Sequence, residues 1–136
     1  MNPGFTLWLT GLPGAGKTTL ATGVRAELVR RALRVEVPDG DEVRMHLSRD
    51  LGFSKRDRDE NVRRLGFVAR LLSSNGVIAI IAAVSPYREA RECVRRSHDA
   101  RRSISGPTWK ASTSRDWRLY AGSSRAASSA NATITR

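Results

Sequence analysis

Residues 11–18 read Gly-Leu-Pro-Gly-Ala-Gly-Lys-Thr, a complete G-x-x-x-x-G-K-[ST] pattern. No other feature restricts the fold as much. The pattern works only between a strand and a helix. Its glycines turn backbone N–H groups toward phosphate oxygens, and the helix that follows aims its positive end at the same point. Both flanks fit. Residues 5–9, Phe-Thr-Leu-Trp-Leu, read as a buried strand. Residues 18–31 read as a helix, with Leu20, Ala21, Val24 and Leu28 at helical spacing and Arg25, Glu27 and Arg30 facing out. Gly11, Leu12, Pro13, Gly14, Ala15, Gly16, Lys17, Thr18 and Thr19 are therefore the expected binding site for ATP. Lys17 is expected to reach the β and γ phosphates, and Thr18 to offer its hydroxyl to Mg²⁺. The plainer reading, a glycine-rich turn with a chance lysine, gives no reason for the strand and the helix on either side.

Beyond the loop, strands and helices keep alternating. Residues 34–37 form a short strand stopped by Pro38-Asp39-Gly40, and residues 41–47 a short helix. A longer helix spans 55–74, with Val62, Leu65, Val68, Ala69 and Leu72 on one face, and Asn75-Gly76 closes it. Residues 77–84 are continuously apolar, as a strand covered on both faces should be. Ser85 then reads as an N-cap and Pro86 as the first position of a helix to about residue 96. This order predicts an α/β fold, a P-loop NTPase-type parallel sheet with helices on both faces. The 77–84 run is too short to span a membrane. Met1-Asn2-Pro3-Gly4 does not open a secretory signal, and Cys93, the one cysteine, excludes an internal disulfide and a multi-cysteine metal site. A cytoplasmic protein with Cys93 packed on its helix is the expectation.

The 136 residues fit one domain and carry a net charge of +11. That charge is unevenly spread. Residues 1–100 hold +5, and residues 101–136 hold +6, with Asp116 as the one acid. The latter stretch has eight Ser, six Ala and four Thr, and no apolar run that could cover a core. We divide the chain into a P-loop domain over 1–100 and a basic Ser/Ala/Arg-rich tail over 101–136, disordered or out of frame. A tail of this charge leaves a polyanion-binding protein as a rival from another class. A different small-molecule P-loop kinase is a second rival. A GTPase is disfavoured because no Asn-Lys-x-Asp occurs.

Phosphoryl transfer needs groups that organise a metal and place a nucleophile. Asp39 and Asp41 follow the second strand, and ligands of parallel sheets collect at the carboxyl ends of strands. They are candidates for that work, against a plainer reading of Asp41 as a helix N-cap and Asp39 as a turn residue. Arg58 and Asn61 lie three apart and share a helix face, and Arg44 lies three after Asp41. These could grip an anionic acceptor, since guanidinium forks suit phosphate and sulfate. A solvated helix face explains Arg56, Arg63 and Arg70 as well. His46 and His98 lack companion ligands and are expected in surface or capping roles.

Taken together, the pieces resemble the adenylylsulfate kinase (APS kinase) family. The likeness is carried by Gly-Leu-Pro-Gly-Ala-Gly-Lys-Thr-Thr at 11–19 and Asp-Gly-Asp-Glu-Val-Arg at 39–44. It continues in Leu-Gly-Phe-Ser-Lys-Arg-Asp-Arg-Asp-Glu-Asn-Val-Arg-Arg at 51–64 and Ser-Pro-Tyr-Arg at 85–88. The resemblance implies transfer of the γ-phosphate of ATP, with Mg²⁺, to the 3′-hydroxyl of adenylylsulfate, giving 3′-phosphoadenylylsulfate in sulfate assimilation. It implies that Asp41 orients or deprotonates the acceptor hydroxyl and helps hold Mg²⁺ through water, with Asp39 in support. It also implies that Arg44, Arg58 and Asn61 bind adenylylsulfate, that Phe53 stacks on its adenine, and that Ser85 sits where some members carry a phosphoserine. A homodimer or a sulfurylase partner is implied, whereas a membrane or nucleic acid is not expected.

The likeness stops after Ser97. The family continues with a strand, a lid of the kind Arg-Asp-x-Lys-Gly-Leu-Tyr and a Phe-Thr-Gly motif. Here Arg115-Asp116-Trp117-Arg118-Leu119-Tyr120 is a damaged echo of the lid. We read the break as a shift of reading frame near residues 98–108. The domain is then C-terminally incomplete, with one sheet edge left unpaired.

Overall fold

A computed structural model of the chain describes residues 4–99 and 131–135. The elements run β1 (Thr6–Thr10), α1 (Lys17–Arg30), β2 (Val35–Glu36), α2 (Gly40–Leu47), α3 (Lys55–Ser74), β3 (Ile78–Ala83), α4 (Arg88–Asp99) and β4 (Asn131–Thr135). The sheet order is β2-β3-β1-β4. β1 and β2 both pair with β3 in parallel, with Leu9 opposite Ala82 and Val35 opposite Ile78.

The alternation of side chains along the strands divides the core into two layers. Leu7, Leu9, Ile78 and Ile80 face α1, where they pack against Leu20, Ala21, Val24 and Leu28. Trp8, Ala79, Ile81 and Ala83 face the other way, against Val43 of α2, Val62, Leu65 and Ala69 of α3 and Val94 of α4. Both faces of β1 and β3 are covered, which is why these strands read as continuous apolar runs. The α/β class with helices on both faces is therefore observed.

Four expectations change. First, the sheet edge expected to be unpaired is occupied. β4 pairs antiparallel with β1 along its whole length, Thr6 opposite Thr135 and Thr10 opposite Asn131. Residues 131–135 of the predicted tail are thus a strand, and the sheet is mixed rather than purely parallel. Second, Ser85 is not a helix cap: α4 starts at Arg88, and Ser85 is 1% exposed. Third, Cys93 is exposed instead of packed. Fourth, of the surface and capping roles expected for His98, the surface one fails: His98 is buried, with its ring 3.1 Å from Thr6 Oγ1 and 2.9 Å from the Val94 carbonyl one turn back. The rest of the tail, including the lid echo at 115–120 and most of the region read as out of frame, lies outside the described residues.

Candidate active site

The phosphate loop runs from the end of β1 into α1, as its sequence requires. Gly14 (φ 76°) and Gly16 (φ 82°) sit in the left-handed region. A Cβ at Gly14 would meet nothing within 4 Å, so the backbone conformation and not crowding calls for glycine there. Gly16 is also the N-cap of α1, and it offers no side chain to the first-turn N–H groups. No acidic residue stands in that turn either. α2 and α3 are closed differently. Asp39 Oδ1 accepts from the N–H of Asp41 (2.8 Å) and of Glu42 (3.1 Å), and Ser54 Oγ accepts from the N–H of Asp57 (3.1 Å). The start of α1 thus keeps its donors and its positive end for an anion.

Lys17 Nζ donates to the carbonyls of Gly11 and Leu12, both at 2.9 Å. The ammonium is folded over the loop that a phosphate would enter, and partial burial holds its pKa below the usual lysine range. Thr18 and Thr19 follow in the first turn of α1, both exposed.

The two aspartates separate into distinct roles. Asp39, not Asp41, is the N-cap of α2, because its side chain reaches the donors two and three residues on. Asp41 is exposed and makes no side-chain hydrogen bond among the described residues. The start of α2 lies at the carboxyl end of β3: a Cβ on Gly40 would come within 3.6 Å of the Ala82 carbonyl. Ala82 pairs with Leu9, two residues before the phosphate loop. The fold therefore brings Asp41 to the same end of the sheet as Lys17 and Thr18. Among the described residues no group of three or more His, Cys, Asp or Glu could hold a metal. One free carboxylate and one hydroxyl suit Mg²⁺, which keeps most of its waters and takes further oxygens from a nucleotide.

The predicted acceptor residues gather around the loop before α3. Arg44 Nη2 donates to the carbonyls of Leu51 (3.1 Å) and Gly52 (2.8 Å), and its guanidinium lies 4.4 Å from the Phe53 ring centre. Arg58 Nε donates to the Phe53 carbonyl at 3.0 Å, and its guanidinium lies 5.9 Å from the same ring. Phe53 is 73% exposed, so the ring is open to a further flat group. Asp41 and Arg44 also line one cleft of 320 Å³ with Met45, Ser48, Arg49 and Leu51. Asn61, three residues after Arg58 on α3, is half-buried, and its Oδ1 has no partner among the described residues.

Sequence reasoning missed three supports. Arg64 grips Asp50 with two bonds of 2.6 and 2.9 Å and donates to the Leu47 carbonyl at 2.6 Å, which ties the Arg44–Phe53 loop to α3. The pairing joins positions 14 apart across a loop, so no helical spacing advertises it. Trp8 reads only as a strand residue and Thr10 lies just past the expected strand, yet both bond to Ser85: Trp8 Nε1 donates to Ser85 Oγ at 3.0 Å, and Ser85 Oγ donates to Thr10 Oγ1 at 2.9 Å. Their shared face of β1 was the available signal.

Comparison with known proteins gives the family. A family model for adenylylsulphate kinase matches residues 3–107. An adenylyl-sulfate kinase of Synechococcus sp. (strain JA-3-3Ab) is 60% identical over 93 residues, 68% of this chain and 53% of that protein. The Mycobacterium tuberculosis APS kinase, solved in complex with AMPPNP and APS, superposes with a TM-score of 0.69 at 40% identity, over 74% of this chain and 58% of that one. A hexameric APS kinase from Thiobacillus denitrificans gives a TM-score of 0.66 at 50% identity, over 73% of this chain and 20% of that one. The chain spans about half the length of the curated relatives it matches. With 105 residues matched in register by the family model, the chain belongs to the adenylylsulphate kinase family.

Proposed function

We propose that the chain transfers the γ-phosphate of ATP to the 3′-hydroxyl of adenylylsulfate, the phosphorylation step of sulfate assimilation. The observation that carries this reading is the uncapped, acid-free start of α1 beside Lys17, where α2 and α3 are instead capped by side chains. Residues 11–19 then cradle the nucleotide phosphates through backbone N–H groups. Lys17 leaves the Gly11 and Leu12 carbonyls for the β and γ phosphates, where its charge meets the charge that develops in transfer.

Thr18, directly, and Asp41, through water, would hold Mg²⁺, which would supply positive charge to offset that of the phosphates. Asp41 has a free carboxylate with which to orient the acceptor hydroxyl and take its proton. Asp39 supports it by fixing the first turn of α2. Arg44 and Arg58 match the anionic bridge of adenylylsulfate, and Phe53 offers a face to its adenine; Asn61 is assigned to the same substrate by the resemblance alone. The Thiobacillus relative is hexameric, so self-association is the partner reading we carry forward. No helix among the described residues is long and apolar enough to cross a membrane, and a cytoplasmic site, where ATP is at hand, fits the reaction.

The test is direct. The purified chain is incubated with Mg²⁺, ATP and adenylylsulfate, and ADP is followed. Adenylylsulfate-dependent ADP formation with matching 3′-phosphoadenylylsulfate supports the reading. ADP formation that responds to another hydroxyl acceptor instead, or to none, overturns it.

A further inference from the structure

Ser85 lies two residues beyond the end of β3, and its surroundings serve no purpose assigned above. Its residue is 1% exposed, and its hydroxyl is bonded on both sides. Trp8 Nε1 donates to Ser85 Oγ, and Ser85 Oγ donates to Thr10 Oγ1. Thr10 Oγ1 in turn donates to the Ser85 carbonyl at 3.4 Å, and Arg91 Nη1 of α4 donates to the same carbonyl. Ser85 is thereby tied to β1 at two points and to α4 at a third.

The tie falls where backbone pairing ends. Thr10 is opposite Ala83 in the last register of β1 and β3, and past it the two strands part. β1 goes directly into Gly11 and Leu12, the two carbonyls that hold Lys17. Beyond that register the Thr10–Ser85 bonds carry the β1–β3 link one step further, to the entrance of the phosphate loop. A hydroxyl at position 10 and one at position 85 are both required, since each donates to the other residue.

We propose that Ser85 is a positioning residue that acts through Thr10 to set the entrance of the phosphate loop. Its hydroxyl accepts from Trp8 and donates to Thr10 in a site closed to solvent, so its orientation is fixed from β1. This rests on the nucleotide reading of residues 11–19 but not on the identity of the acceptor.

The experiment measures Mg-ATP binding by equilibrium dialysis together with the thermal midpoint without nucleotide. The variants are Thr10→Val, Thr10→Ser, Ser85→Ala and the Thr10→Val/Ser85→Ala pair. Thr10→Val keeps the side-chain volume, so it remains informative should Ser85→Ala fail to fold. We expect Thr10→Val and Ser85→Ala each to weaken Mg-ATP binding by about five- to tenfold, the size of one lost hydrogen bond. Thr10→Ser should bind like the parent. The double variant should bind no worse than the weaker single one, because both changes cut one link. Lower midpoints with Mg-ATP affinity unchanged would overturn the positioning role and leave a purely structural one. Additive losses in the double variant would overturn it too. A parent that binds no Mg-ATP overturns the nucleotide reading and this proposal together. A parent that binds Mg-ATP but ignores adenylylsulfate overturns only the proposed acceptor.

Discussion

At the scale of single residues, the proposed function divides the site into a nucleotide half and an acceptor half. Lys17 belongs to the first. Lys17→Ala is expected to lower kcat by about 10²- to 10³-fold, the usual loss for one donor aimed at developing charge; steady-state turnover with saturating ATP measures it, and unchanged turnover refutes the role. Arg58 belongs to the second. Its bond from Nε to the Phe53 carbonyl leaves the remaining guanidinium donors for an anion. Arg58→Ala should therefore raise the adenylylsulfate KM while dialysis shows Mg-ATP bound as before; equal loss of both ligands would show that the two halves are wrongly divided. Asp50 gives a pH signature. The Arg64 guanidinium holds its carboxyl below the usual range. A lowered folded pKa stabilises the fold above the unfolded value, about 3.9, and that stabilisation disappears as pH falls through the folded one. The midpoint difference between parent and Asp50→Asn should thus be largest near neutrality and vanish in strong acid. Because the pair is exposed, it should also shrink in high salt.

At the scale of elements, the contact between α3 and α4 depends on Gly66. A Cβ there would come within 2.6 Å of Val94 Cγ2 and 2.7 Å of Cγ1. Both Gly66 and Val94 are buried, so neither can turn outward. Gly66→Ala is expected to destabilise by about 1–3 kcal/mol, the common cost of overpacking, read as a lower denaturant midpoint at an unchanged slope. α4 also carries Arg91 to Ser85, so the same variant should loosen the link to the phosphate loop. Element boundaries were largely legible because each has a local cause. Gly76, at φ 74°, ends α3 where the Asn-Gly pair implied. Ser85-Pro86 misled because its cap pattern is local, whereas the Trp8 and Thr10 partners of Ser85 are more than 70 residues away.

At the scale of the whole molecule, the unforeseen feature is β4. β1 is the phosphate-loop strand, and its second edge is paired along Thr6–Thr10 by residues 131–135. An unpaired edge beside an apolar strand is a template for another chain. Removing residues 131–136 should therefore produce higher-order species by size-exclusion chromatography and light scattering at concentrations where the full chain does not form them. An identical elution profile would show that β4 does not protect the edge.

Some properties followed from the order of residues because their causes are local. The phosphate loop needs glycines at fixed offsets, the amphipathic helices need their 3.6-residue period, and a strand covered on both faces needs an unbroken apolar run. The strand–loop–helix start and the two-faced sheet were legible on those grounds, whereas Phe53 beside Arg44 and Arg58 came only from the family resemblance. Only the tertiary structure decided which aspartate caps α2, that Ser85 and His98 are buried while Cys93 is exposed, and that β4 closes the sheet in the opposite direction. Each of those depends on partners brought together from distant positions, and pattern along the chain carries no record of which distant groups will meet.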